Sequence, residues 1–299
     1  MKIALTGGTG FVGRAVIDQL LARGDQIRAW YRLGRAGTLT QAPGLEWVEG
    51  DLRNRQAHPQ FLAGCDAVVH AALDRPGAGF RGAEGDLIDF VETNVVGSIN
   101  LIEQAHKAGV KRFVFISTCA VHEKILDDRP LDETHPLWTT SHYGAHKAAI
   151  EAFVGSFGLG AGFPVCALRP SGIYGVTQPA QHSKWFDLVK QVAAGQPVNC
   201  TRGGKEVHVS DVARAAALLL DAPTDKIIGQ SFNCCDRYIS EFEVAQIAQK
   251  LVGSLAPVDG KITQPRHQIA TGKIQALGMV FGGTPLLEKT VRELVHAAS

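Results

Sequence analysis

Two side chains four residues apart carry the first chemical suggestion in this sequence. In Tyr143-Gly144-Ala145-His146-Lys147, the phenol and the ammonium fall on one face of a helix, one turn apart. A free phenol releases its proton only near pH ~10, so it is a poor base at neutrality. A neighbouring cation favours the phenolate and brings proton exchange closer to working pH. The spacing alone is commonplace, and a half-buried tyrosine beside a solvated lysine produces it equally well. Its meaning depends on the elements that position it.

Those elements begin at the first residues. A strand pattern over Lys2 to Thr6 runs into Thr6-Gly7-Gly8-Thr9-Gly10-Phe11-Val12-Gly13, and Phe11 to Arg23 reads as an amphipathic helix stopped by Gly24. Gly7 permits the tight turn, Gly10 lets backbone approach a pyrophosphate, and Gly13 allows the helix to pack on the strand. The backbone around Thr9, Gly10, Phe11 and Val12 then offers unpaired N–H groups to an anion. A purely structural turn shares the spacing, but the strand-to-helix context points to a nucleotide. The end of the second strand selects the cofactor: an acid there binds a ribose 2′-hydroxyl, whereas arginine accommodates a 2′-phosphate. Trp30-Tyr31-Arg32-Leu33-Gly34-Arg35 contains no acid, so NADP is favoured over NAD, with Arg32 the leading contact and Arg35 the second. If both arginines are merely solvated, NAD binds without a 2′ contact. Asp51 and Leu52 follow the third strand, where a carboxylate could meet the adenine amino group; an exposed turn aspartate reads the same way.

Further strands are expected at Gln26 to Arg32, Leu45 to Val48, Ala67 to Ala71, Arg112 to Ser117 and Pro164 to Leu168. Long helices are expected from about Asp86 to Ala108 and over Tyr143 to Phe157. Strands alternating with helices give an α/β fold, a Rossmann-type doubly wound parallel sheet covered on both faces. Residues 1–170 read as the NAD(P)-binding domain, whose sheet is open to later strands, and residues 171–299 as a smaller, mostly helical substrate-binding region. Helices are expected there near Ser183 to Ala194, Asp211 to Leu220 and Ser240 to Leu251. Asp74 to Gly85 is glycine-rich and follows a strand's C-terminal end, a place suited to a lid.

Composition excludes several classes. With 45% hydrophobic and 20% charged residues, the 299-residue chain is an ordinary globular protein rather than a disordered one. A net charge of +1 provides no general field for nucleic acid or an anionic membrane. The short apolar run at the N-terminus breaks into glycines too soon for a signal peptide or a membrane span, so a cytoplasmic location is expected. Six cysteines without a CxxC pair are expected to stay reduced, and eleven histidines without zinc spacing give no metal site.

Taken together, the motifs resemble the extended short-chain dehydrogenase/reductases, the NAD-dependent epimerase/dehydratase family. The resemblance spans most of the chain: TGGTGFVG, His70-Ala71-Ala72, Asn94, Ser117-Thr118, YGAHK, Leu168-Arg169-Pro170 with Ile173-Tyr174-Gly175, and His208-Val209-Ser210-Asp211-Val212-Ala213. It implies that Tyr143 is the catalytic acid or base, that Lys147 holds the nicotinamide ribose and lowers the tyrosine pKa, and that Thr118 polarises the substrate oxygen. Thr118 is preferred to Ser117 because the family's hydroxyl lies four positions before an aromatic, a slot filled here by His122. Asn94 would fix backbone geometry in the site, and Ala71, Ala72 and Arg169-Pro170 would line the cofactor groove. Arg169 could instead form a structural ion pair.

The departures narrow the chemistry. Cys119-Ala120 stand where sugar 4,6-dehydratases carry Asp-Glu, which disfavours expulsion of water. Ser171 and Tyr174-Gly175-Val176 replace the segment that many nucleotide-sugar epimerases use, although Lys184, Arg202 or Lys205 could bind phosphate. The leading expectation is a carbonyl reductase or alcohol dehydrogenase acting on a small-molecule carbonyl or alcohol. A nucleotide-sugar epimerase working by transient oxidation and a non-catalytic NADP-binding redox sensor are the alternatives. By family analogy a homodimer is expected, through the helices near residues 86–108 and 143–157.

Overall fold

The computed structural model describes residues 1–34, 39–77, 82 and 84–298. Apolar runs bounded by glycines become strands: β1 (Lys2–Thr6), β2 (Gln26–Tyr31), β3 (Leu45–Glu49), β4 (Ala67–His70), β5 (Arg112–Ile116) and β6 (Val165–Pro170). Later come β7 (Gly172–Tyr174), β8 (Val198–Cys200), β9 (Gly203–His208), β10 (Gln230–Cys234), β11 (Arg237–Ser240) and β12 (Val258–Gly260). Seven of these form one sheet in the order β10-β6-β5-β4-β1-β2-β3, and every pairing in it is parallel. The chain therefore reverses direction across the sheet between β1 and β4, which opens a crevice beyond the C-terminal end of β1.

Both faces of the sheet are covered, which is why its central strands β4 and β5 read as nearly continuous apolar runs. Ile3 and Leu5 of β1, Val114 and Ile116 of β5, and Cys166 and Leu168 of β6 pack with the helices Phe11–Ala22 and Val209–Asp221. The alternate residues Ala4, Phe113, Phe115, Val165 and Ala167 face the helices Gly97–Lys107 and His142–Gly155. The expected long helix near 86–108 is helical throughout, but Glu92–Val96 is one wider π turn between Leu87–Val91 and Gly97–Lys107.

Beyond β6 the chain differs from the mostly helical region expected. β7, β9 and β11 form a three-stranded sheet, and β8 and β12 a two-stranded one. The helices Phe186–Ala193, Glu241–Val252 and Gly283–Ala298 pack around a third core containing Tyr174, Val189, Val244 and Val291. Two segments from beyond residue 170 return to the main sheet: β10 pairs with β6, and Val209–Asp221 packs beside Phe11–Ala22.

Candidate functional site

The turn after β1 is fitted to its neighbours at atomic spacing. Gly7 has φ 76°, and a Cβ there would lie 2.7 Å from the Ala71 backbone; one on Gly13 would lie 2.1 Å from the Gly7 carbonyl oxygen. Only glycine satisfies both contacts. Gly10 precedes the helix with no side chain capping it and no acid in the first turn. Its helix N-terminus is thus left to accept an anion.

Beneath the turn, a buried chain of hydrogen bonds fixes the crevice floor. Thr6 Oγ1 donates to His70 Nδ1 at 2.6 Å, and His70 Nε2 donates to Ser98 Oγ at 2.8 Å. Ser98 in turn donates to the Asn94 carbonyl, and Thr6 Oγ1 accepts the Ala72 N–H at 3.2 Å. Only the neutral imidazole with its proton on Nε2 completes this chain. Burial, with the charge of Lys147 adding to it, holds the His70 pKa well below the ordinary histidine value. Asn94 lies in the π turn. Its amide clamps Asp74, accepting the Asp74 N–H and donating to its carbonyl, both at 2.8 Å.

A cleft of about 950 Å³ extends from this floor past the ends of β5 and β6. Gly7, Thr9, Gly10, Phe11, Val12, Arg32, Asp51, Leu52, Ala71, Ala72, Thr118, Tyr143, Lys147 and Pro170 all line it. Asn94 stands behind the lining, in the clamp on Asp74. Arg35 lies outside the described residues, as do 78–81 and 83 of the expected lid. Arg169 is buried in an ion pair with Glu151. Its guanidinium donates to that carboxylate at 2.6 to 3.1 Å, and Ser231 Oγ donates to it at 2.9 Å. Ser117 also donates to Glu151. Of the adjacent pair, Thr118 is the one hydrogen-bonded to the Tyr143 phenol.

Tyr143 is set by its helix cap. Ser141 Oγ accepts the Gly144 N–H at 3.0 Å, while Glu123 accepts Ser141 N–H at 2.8 Å and Ser141 Oγ–H at 2.9 Å. The phenol is hydrogen-bonded to Thr118. Burial pushes its pKa up, opposed by that hydrogen bond and then by the charge of Arg75. Lys147 Nζ donates to the Ile116 carbonyl at 2.8 Å and sits 4.6 Å from the centre of the Phe115 ring. Burial pushes its pKa down to about 7, with Glu151 opposing. A phenol, a hydroxyl and a titratable amine thus converge where a substrate oxygen could exchange a proton.

Farther along, Ile125, Leu131 and Ile269 give the cleft an apolar wall. Lys205 also lines the cleft, as does Lys184, which pairs with buried Glu206. Arg202 is exposed and outside the lining. Cys119 donates to the Arg169 carbonyl at 3.0 Å, and burial raises its pKa, which disfavours the reactive thiolate. All six cysteines are free thiols. Among the described residues, no cluster is placed to hold a metal ion, and no helix is long and apolar enough to cross a membrane.

The model of the NAD dependent epimerase/dehydratase family matches residues 3–235. The chain belongs to that family. A 4-hydroxy-2-methyl-3-oxo-4-farnesyl-3,4-dihydroquinoline-1-oxide ketoreductase of Stigmatella aurantiaca is 33% identical over 195 residues, 64% of this chain. The chain spans only 55% of that relative's length. A UDP-glucose 4-epimerase of Lacticaseibacillus casei is 28% identical over 86% of this chain and 83% of its own length. The crystal structure of a Thermus thermophilus UDP-glucose 4-epimerase in complex with NAD superposes with a TM-score of 0.77. It is 25% identical and covers 98% of this chain and 99% of that one. The family is NAD-dependent, and the Rossmann sheet is common to these proteins.

Sequence reasoning missed two parts of the lining. Asp74 and Arg75 follow the end of β4, where the rule for ligands at strand C-termini could have singled them out individually. The wall of Ile125, Leu131 and Ile269 had no local signal, because Leu131 and Ile269 meet through a lone bridge between distant loops.

Proposed function

We propose that this protein is an NAD(P)-dependent oxidoreductase acting on a small-molecule carbonyl or alcohol, with Tyr143 exchanging the proton on the substrate oxygen. The observation that carries the reading is the convergence of Tyr143, Thr118 and Lys147 in one cleft with the uncapped helix N-terminus beyond Gly10. A nicotinamide dinucleotide held there would supply or accept the hydride. Phe11 and Val12 hold its pyrophosphate through backbone N–H groups, and Arg32 favours a 2′-phosphate, hence NADP over NAD. Thr118 donates to the substrate oxygen and keeps it within reach of the phenol. Lys147 binds ribose hydroxyls, and its charge, when protonated, stabilises the phenolate. Preorganised donors at the developing alkoxide account for much of the expected rate. Cys119-Ala120 after Thr118 supply no carboxyl pair for dehydration.

The apolar wall favours a carbonyl compound with a hydrophobic body, in keeping with the ketoreductase relative. Purified protein with NADPH and a panel of ketones should consume cofactor stoichiometrically. Tyr143→Phe should keep cofactor affinity and lose about 10²- to 10⁴-fold in turnover. Unchanged turnover in that variant refutes the mechanism. The match over 83% of the L. casei UDP-glucose 4-epimerase favours a second reading, epimerisation by transient oxidation with Lys205 on a phosphate. It requires UDP-sugar interconversion with tightly retained cofactor and no net redox change. Either reading needs the phenol, which a non-catalytic redox sensor does not.

A further inference from the structure

Three charged residues meet at the mouth of the crevice. Arg32 follows β2, Arg53 follows β3 and Asp74 follows β4, while β1 with its glycine turn lies between β4 and β2. The Asp74 carboxylate therefore reaches across the crevice. One of its oxygens pairs with Arg32 Nη1, and the other lies 3.4 Å from Arg53 Nη2. Arg32 and Asp74 both line the cleft. The arginine side chains are 51% and 55% exposed, and ion pairs this open to water add little to stability. Yet Asp74 is firmly placed. Buried Asn94 holds both its N–H and its carbonyl, from a π turn inserted into an otherwise regular helix, and such insertions cluster at functional sites.

We propose that Asp74 is an internal counter-ion occupying a two-arginine site for the 2′-phosphate of NADP, with Arg53 as the second arm beside Arg32. The inference rests on the reading that this crevice holds a nicotinamide dinucleotide. A phosphate carries nearly twice the charge of a carboxylate and has three acceptor oxygens, so it displaces Asp74 from the arginines. NAD brings no such group and leaves the Asp74 pairs intact. Asp74 thereby sets how strongly the protein prefers one dinucleotide over the other.

The test is direct titration of the full chain with NADPH, NADH and 2′,5′-ADP, followed by tryptophan fluorescence, since Trp30 lines the cleft. Asp74→Asn should tighten NADPH and 2′,5′-ADP by about fivefold and leave NADH unchanged. Arg53→Gln should weaken NADPH by a similar factor, again sparing NADH, and both differences should shrink as salt is raised. An NADPH-to-NADH ratio that stays within twofold of wild type in both variants overturns the proposal. So does weaker NADH binding in Asp74→Asn, which would make Asp74 a partner of the ribose hydroxyls. Binding of neither dinucleotide by wild type would instead remove the nucleotide reading, and this inference with it.

Discussion

At the scale of single residues, the site is governed by burial. Lys147 has an ordinary value of 10.5 and is pushed to about 7 in the fold. Between those two values the unfolded chain binds more protons than the folded one, so stability rises with pH across that window. The cost of burying the ammonium is fully present below about 7. Lys147→Met should therefore raise Tm most at pH 6, with the gain shrinking towards pH 10, as calorimetry of cofactor-free protein would show. A gain that grows with pH would contradict the assignment. The Tyr143–Lys147 spacing is legible in the sequence, and Thr118 is preferred to Ser117 there only through family resemblance. That Ser117 is tied to Glu151 depends on a contact 34 residues away. The Asp74 pairs were equally hidden, because they join residues 42 and 21 positions apart.

At the scale of elements, the glycine turn and the buried ion pair do different work and should fail differently. Among the described residues, a Cβ at position 10 meets only the Gly7 carbonyl oxygen, at 3.3 Å. Gly10→Ala should therefore fold, with Tm changed by no more than about 2–4 °C, while dinucleotide affinity falls by about tenfold or more. Unchanged affinity would place the pyrophosphate elsewhere. Glu151→Gln removes the counter-charge of an arginine whose side chain is 4% exposed. It should cost about 3–5 kcal/mol in denaturant unfolding and push the Lys147 pKa further down. The strands through β6 were legible because each carries apolar residues within four to six residues, continuous in the central strands and alternating with polar ones in β2 and β3. β7, β8 and β12 have three residues each, too few for any period to show, and β9 begins Gly-Gly-Lys-Glu. Their pairing comes from the fold around them.

At the scale of the whole molecule, the helices near the expected dimer face carry exposed apolar side chains: Ile88 is 66% exposed, Val96 37% and Phe153 41%. We expect a two-copy assembly through them, near twice the 32.0 kDa chain mass by light scattering, with Phe153→Glu shifting it to one copy. A wild-type mass of one chain would refute that.

The return of β10 to the edge of β6 has a consequence for how specificity can change. Because Val209–Asp221 and β10 are stitched into the main sheet, the chain beyond β6 contributes to the pocket from two separate segments, 171–208 and the later one that carries Ile269, rather than as a detachable cap. A chimera that transplants residues 171–208 from a relative is predicted to alter the lining from Ser171 to Lys205 while Thr118, Tyr143 and Lys147 stay in place. A truncation after residue 170 strips the edge strand β10 from the scaffold and is predicted to be insoluble.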